Sequence, residues 1–170
     1  MQYHFDIVST NFGNFFILDS KKGLHFILKK NDARVKIIKS KYLPKKSIYN
    51  SILKKNLIDL SKGKNIKNKI KIHFLTGTIL QKKVWKKLQS IRMGKTISYS
   101  DLASKVLNKN AVRAVATAVG KNPISLIVPC HRVIAKDGSI GGYAWGANMK
   151  AKLLDIEYKG TADSIYRGGK

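Results

Sequence analysis

Apolar and polar residues alternate along the first third of the chain and switch to a three-to-four spacing over most of the remainder. Tyr3 to Ser9, Asn14 to Leu18 and Leu24 to Leu28 read as short strands, punctuated by the turn-forming stretches Asn11-Phe12-Gly13-Asn14 and Lys21-Lys22-Gly23. Arg34 to Lys39 predicts a further strand. Ile48 to Leu60 breaks the alternation, since apolar residues at 48, 52, 53, 57 and 60 predict a helix that ends near Gly63. Ile66, Ile70, Ile72 and Phe74, set among lysines, then predict a half-exposed strand from Ile66 to Leu75.

From Thr78 the pattern is helical. Leu80, Val84, Leu88 and Ile91, with Trp85 beside them, form one stripe that Gly94 ends. Ser100 is the expected N-cap of a helix from Asp101 to Leu107, and Asn108-Lys109-Asn110 a polar turn before a helix from Ala111 to Val119. Val112, Val115, Ala116 and Val119 mark the buried side of that helix, leaving Arg113, Ala114, Thr117 and Lys121 facing away. Two short helices joined by three or four residues suit a helix-turn-helix unit. An apolar, strand-like run from Ile124 to Val128 is stopped by Pro129, and Val133-Ile134 resumes it. Lys136 to Tyr143 reads as a tight hairpin or a flexible active-site loop, and Asn148 to Tyr158 as the last helix, with a mobile tail after Gly160.

Composition narrows the classes. With 170 residues the chain forms one domain or two small ones, and its apolar content suffices for a core. No secretory signal opens it and no stretch is long enough to span a bilayer, so a cytoplasmic protein without a membrane partner is expected. A single cysteine excludes an internal disulfide and a multi-cysteine zinc site, and His4, His25 and His73 lack ligand spacing, so no metal is expected. The net charge of +25 permits contact with phosphates but does not locate it. Residues 1 to 75 hold 17 basic and 4 acidic residues and the rest 17 and 5, and the abundance of Lys, Asn and Ile fits a general compositional bias equally well.

The one cysteine, Cys130, follows Pro129 at a fixed bend. A lone thiol is more often inert packing than chemistry. Here His131 adjoins it and Glu157 stands downstream at the end of a helix, where a carboxylate orients an imidazole that lowers a thiol pKa or takes its proton. Neighbouring side chains of an extended segment point to opposite faces, so a bridging water is the expected link between Cys130 and His131.

The block Pro129-Cys130-His131-Arg132-Val133-Ile134, preceded by Ala111-Val112-Arg113-Ala114-Val115 and Asn122-Pro123 and followed by Gly141-Gly142-Tyr143, resembles the O6-alkylguanine-DNA alkyltransferase family. The resemblance implies an α+β protein with a ribonuclease-H-like N-terminal sheet and helix over 1–75 and a winged helix-turn-helix alkyltransferase domain over 76–170. It implies a suicide transfer of an alkyl group from O6-alkylguanine, with O4-alkylthymine as a second substrate, in double-stranded DNA to Cys130, by a monomer without a cofactor. Cys130, His131, Glu157 and Asn122 are then the catalytic set. Tyr99 presses on the target phosphate, Arg113 fills the place of the extruded nucleotide, and Tyr143 and the backbone at Val133 and Ala144 bind the base. Ala114, Ala116, Thr117 and Lys121 face the DNA.

Two positions depart from the family's common pattern: Ala116, followed by Thr117, stands after Arg113-Ala114-Val115 where many members have glycine, and Trp145 follows Ala144 where glycine is common. The bulk of Trp145 implies a preference for methyl over larger groups. The competing readings are a non-repairing alkylguanine sensor, a turnover Cys-His-Glu hydrolase and a DNA-binding regulator with an incidental thiol. The presence of Cys130 speaks against the sensor.

Overall fold

A computed structural model describes residues 1–47, 51–66 and 70–159. The start of the expected helix at Ile48, part of the expected strand from Ile66 and the tail beyond Gly160 lie outside the described residues. The chain divides into two compact units, Met1–Thr76 with Pro123–Ser125, and Gly77–Asn122 with Leu126–Lys170.

In the first unit β1 (Tyr3–Thr10), β2 (Gly13–Ser20) and β3 (Gly23–Lys29) form an antiparallel meander, and a two-residue strand β4 (Lys45–Lys46) pairs parallel to β1, giving the order β3-β2-β1-β4. Thr10 pairs with Gly13 across the two-residue loop Asn11-Phe12. Phe16, Leu18, Phe26 and Leu28, two residues apart on their strands, share a core with Val35 and Ile38. Phe15 before them and Ile17 and Ile27 between them are also buried, so β2 and β3 carry continuous apolar runs rather than alternation.

Arg34 to Lys39 is not a strand. It lies inside α1 (Ala33–Tyr42), which Asp32 caps by accepting from the Arg34 amide at 2.9 Å. Val35 and Ile38, three residues apart, then meet the sheet, while Lys39 and Lys41 occupy the last turn. The second helix, α2, runs Ser51–Ser61. The strand expected after Ile66 reduces to one parallel bridge between Leu24 and Ile72, closed by Leu24 N to Lys71 O at 2.8 Å and His73 N to Leu24 O at 2.9 Å.

The run before Pro129 is not a strand either. Ile124 makes a single parallel bridge to Ile27, and Leu126 takes a left-handed φ of 72°, which turns the chain.

In the second unit Thr78 and Gln81 form a capping box at the start of α3 (Ile79–Leu88), which buries Val84, Trp85 and Leu88. The Trp85 indole donates to the Ala118 carbonyl at 2.8 Å, tying α3 to α5 (Val112–Gly120). The fourth helix, α4, starts earlier than expected, at Tyr99, and ends at Val106. Its cap is Ser98 rather than Ser100, because the Ser98 hydroxyl accepts from the Asp101 amide at 3.0 Å.

A 3-10 turn, Lys109–Ala111, leads from α4 into α5, whose buried side is Val115, Ala118 and Val119; Val112 and Ala116 are only partly covered. Ile97–Ser98 (β5) pairs parallel with Val133–Ile134 (β6), and α6 spans Ala147–Lys159. Among the described residues no helix is long and apolar enough to cross a membrane.

Candidate active site

Pro129 sets the thiol's position. Its φ of −81° and ψ of 68° make an inverse γ-turn, closed by Cys130 N to Val128 O at 2.8 Å. Cys130–Arg132 then form one 3-10 turn, with Arg132 N bonded to Pro129 O at 3.1 Å and Val133 N to Cys130 O. All three side chains of this turn are buried.

Asn122, just beyond the end of α5, uses its side-chain amide twice, donating to the Val128 carbonyl at 2.7 Å and to the Cys130 sulfur at 3.1 Å. One residue thus fixes the turn and offers the sulfur an N–H dipole that favours the thiolate.

Behind the thiol lies a buried charged cluster. His131 Nε2 meets Glu157 Oε1 at 2.8 Å. Arg132 donates from Nη2 to the same oxygen at 2.8 Å and from Nε to Oε2 at 2.9 Å, a forked pairing, while its Nη1 donates to the Ile91 carbonyl at 2.6 Å. Burial alone would raise the Glu157 carboxyl, but the His131 ring and the Arg132 guanidinium outweigh it and hold the carboxyl at about 2.

The same burial lowers His131, against the raising charge and hydrogen bond of Glu157, and the charges of Arg132 and Lys150 lower it further. The ring is therefore neutral at pH 7. With a carboxylate at Nε2, that nitrogen carries the proton and Nδ1 presents the lone pair. Nδ1 is buried and has no hydrogen-bond partner among the described residues.

Two tyrosines adjoin the sulfur. Burial first, then the charge of Cys130, raises Tyr99 above its usual pKa, and the same two causes push Tyr143 well above it. The Tyr143 hydroxyl is buried, and the charge of Cys130 and a hydrogen bond to it add to the effect of burial, with the charge of Glu157 a lesser cause. Its ring stands edge-on to Trp145 at 5.6 Å between centroids. Gly141, at a φ of 68°, lies against Tyr99: a Cβ there would sit 3.6 Å from the ring.

The structure thus gathers Cys130, His131, Glu157, Asn122, Tyr99 and Tyr143. Val133 is buried on β6 directly after the thiol turn, and Ala144 is exposed beside Tyr143. Arg113, Ala114 and Thr117 lie on the exposed face of α5, with Ala116 partly covered and Lys121 exposed at its end, and none of the five belongs to the hydrogen-bonded cluster. Among the described residues no three His, Cys, Asp or Glu side chains are grouped to hold a metal ion.

Pattern reading missed Arg132 and Lys150 as members of the site. Lys150 carried a signal: it stands three, four and seven residues before Leu153, Leu154 and Glu157, on the buried stripe of α6, where a lysine is out of place.

Comparison with known proteins identifies the family. Residues 79–159 match the family model described as 6-O-methylguanine DNA methyltransferase, DNA binding domain. The O6-methylguanine methyltransferase of Mycobacterium tuberculosis superposes with a TM-score of 0.82 at 29% identity, covering 95% of this chain and 97% of that one. The same organism's OGT in complex with DNA gives 0.81 at 28% identity, with 94% of both chains covered. The inducible methylated-DNA-protein-cysteine methyltransferase of Bacillus subtilis is 48% identical over 87 residues, 51% of this chain and 49% of that protein. A probable enzyme of the same name from Acanthamoeba polyphaga mimivirus is 41% identical over 148 residues, 75% of this chain and 99% of the viral one. On that breadth of likeness, the chain belongs to the methylated-DNA-protein-cysteine methyltransferase family.

Proposed function

We infer that this protein repairs DNA by moving the alkyl group of O6-alkylguanine onto the Cys130 sulfur, once per molecule. The observation that carries the reading is the buried thiol held by the Asn122 amide beside a neutral His131 whose other nitrogen is fixed on Glu157.

A stacked base hides its O6 atom, so the lesion must leave the helix before a buried sulfur can reach it. Arg113 on the exposed face of α5 takes the vacated place, Tyr99 turns the target phosphate, and Ala114, Ala116, Thr117 and Lys121 let α5 approach the groove. The finer fold that goes with these roles is a ribonuclease-H-like N-terminal domain over 1–75 and a winged helix-turn-helix over 76–170.

The chemistry follows from the site. His131 Nδ1 takes the thiol proton through a water, and the Asn122 amide steadies the resulting charge. The thiolate attacks the alkyl carbon in line with the C–O6 bond; the S–C bond forms as the C–O6 bond breaks. The electron pair leaves on guanine, which Tyr143 protonates. The thioether is stable, and the chain has no second thiol to regenerate Cys130. The lesion itself is the alkyl donor, so no cofactor enters. A cytoplasmic monomer suffices, because single-hit chemistry needs one copy, and O4-alkylthymine in duplex DNA is a second candidate substrate.

Titrating the protein against a duplex containing O6-methylguanine tests the reading. Lesion loss that stops at one equivalent per protein supports it. Multiple turnovers, or binding without lesion loss, contradict it.

A further inference from the structure

Trp85 is the largest fully buried side chain among the described residues, and at 1% exposure its indole N–H must find its partner inside the protein. Any buried carbonyl would satisfy it. The one it takes, at 2.8 Å, belongs to Ala118 in the last turn of α5.

That choice matters because of how α5 ends. The last four carbonyls of a helix lack intrahelical partners, and a left-handed glycine just past the end commonly supplies them. α5 ends differently: Gly120 is its last helical residue, and Lys121 leaves at a φ of −89° and a ψ of 10°. The Lys121 amide reaches the Thr117 carbonyl at 3.2 Å and the Ala118 carbonyl at 3.3 Å, and the Asn122 amide reaches Val119 at 3.2 Å. The indole bond to the same turn is shorter than all three.

Asn122 is the next residue along. Its side chain donates to the Val128 carbonyl at 2.7 Å and to the Cys130 sulfur at 3.1 Å, so drift of the helix end moves the donor on the sulfur. The indole is itself tightly seated. Gly77, at a φ of 102°, lies against the ring, where a Cβ would come within 2.5 Å of two ring carbons, and the Thr78–Gln81 capping box fixes the start of α3 beside it. A phenylalanine would fill much of the same space with no donor to satisfy, so packing alone does not account for the indole nitrogen.

We propose that Trp85 is a positioning residue for the thiol: its indole N–H caps the C-terminal end of α5 and thereby holds the Asn122 amide on the Cys130 sulfur. An N–H aimed at sulfur favours the thiolate, so a loosened Asn122 raises the pH at which Cys130 becomes reactive. The inference rests on the part given to Asn122 in the alkyltransferase reading, although its main readout needs no DNA.

The test follows the pH midpoint of Cys130 alkylation by iodoacetamide, which reports the thiolate. Trp85→Phe is expected to raise the midpoint by at least about 0.5 unit, as a weakened hydrogen bond to the charged form does. Methyl transfer from duplex O6-methylguanine at pH 7 falls by about threefold, the thiolate lost with a shift of that size. Asn122→Ala also raises the midpoint, and adding Trp85→Phe to it raises the midpoint no further, because the indole acts through Asn122. Val84→Ala, a cavity in the same helix that leaves the indole bond in place, lowers stability and leaves the midpoint where it was. If Trp85→Phe does not fold, Gly77→Ala replaces it, since the added methyl displaces the ring, and the same rise is expected.

A midpoint that is unmoved or lowered in Trp85→Phe, or that rises equally in Val84→Ala, overturns the proposal and leaves Trp85 as packing. So does a further rise when Trp85→Phe is added to Asn122→Ala. If the midpoints behave as expected while the unaltered protein transfers no methyl, the alkyltransferase reading alone fails.

Discussion

Each unit buries one histidine almost completely, His25 in the first at 0% exposure and His131 in the second at 1%. Burial is the leading cause that lowers the pKa of both. They differ in what their nitrogens do. His25 Nδ1 meets the His73 carbonyl at 2.7 Å and its Nε2 meets the Ser20 hydroxyl at 2.8 Å, so both are spent on holding the edge of the sheet. His131 spends Nε2 on Glu157 and keeps Nδ1 uncommitted among the described residues. Burial and a lowered pKa therefore do not distinguish the two rings; what sets His131 apart is an uncommitted nitrogen on the residue that directly follows the cysteine.

Swapping each ring for phenylalanine gives the largest separation. His131→Phe is expected to slow methyl transfer by about 10²–10⁴-fold, the usual worth of a general base. His25→Phe leaves the transfer rate unchanged and lowers stability by about 1–3 kcal/mol, the cost of two lost buried hydrogen bonds. Single-turnover assays and urea unfolding read the two effects; a slow His25→Phe enzyme that remains folded would break the contrast.

Glu157→Gln comes next. It leaves the buried Arg132 guanidinium without its carboxylate, which costs about 3–5 kcal/mol. A second loss falls on transfer, because an amide no longer favours the Nε2–H form of His131 as strongly. Urea unfolding with no loss of stability would show that the forked pair matters less than its geometry suggests.

The pH dependence of stability sharpens the comparison at smaller scale. Folding lowers both histidines below 6.5, so as pH falls past that value the unfolded chain takes up protons first and stability declines. Glu157, held at about 2 against 4.5, adds a second decline between those values. His25→Phe removes part of the first decline and leaves the second. A stability curve flat from neutrality to pH 4.5 would contradict both histidine directions.

The smallest expected effect is on substrate choice. Trp145 stands edge-on to Tyr143, so if Tyr143 lines the base-binding site as proposed, Trp145→Gly should favour benzyl over methyl transfer by several-fold, within the roughly 10–200-fold that pocket shape can provide. Equal rate ratios before and after the change would remove Trp145 as a size filter.

Local pattern and long-range structure were unequally legible in the sequence. The meander from β1 to β3 and helices α2, α3 and α6 follow from turn residues and spacing that act within a few positions. Arg34 to Lys39 misled because Arg-Val-Lys-Ile looks alternating, although Asp32 ahead of it was a readable cap. Ser98 and Ser100 are equally good caps on composition, and only the hydrogen bond to Asp101 separates them.

The bridge from Ile124 to Ile27 joins residues almost a hundred positions apart, which no window reveals. At the site, Cys130, His131, Asn122 and Glu157 were marked by motif and residue chemistry. Lys150 was not, because a lysine is read as surface unless its place on the apolar stripe is weighed first.

The most direct test of the account is the peptide mass spectrum of the protein after incubation with a duplex containing O6-methylguanine, with Cys130→Ala alongside. One methyl on the Cys130 peptide, in step with lesion loss and absent from the variant, is the predicted result. Lesion loss with an unmodified Cys130, or a methyl on any other residue, would contradict it.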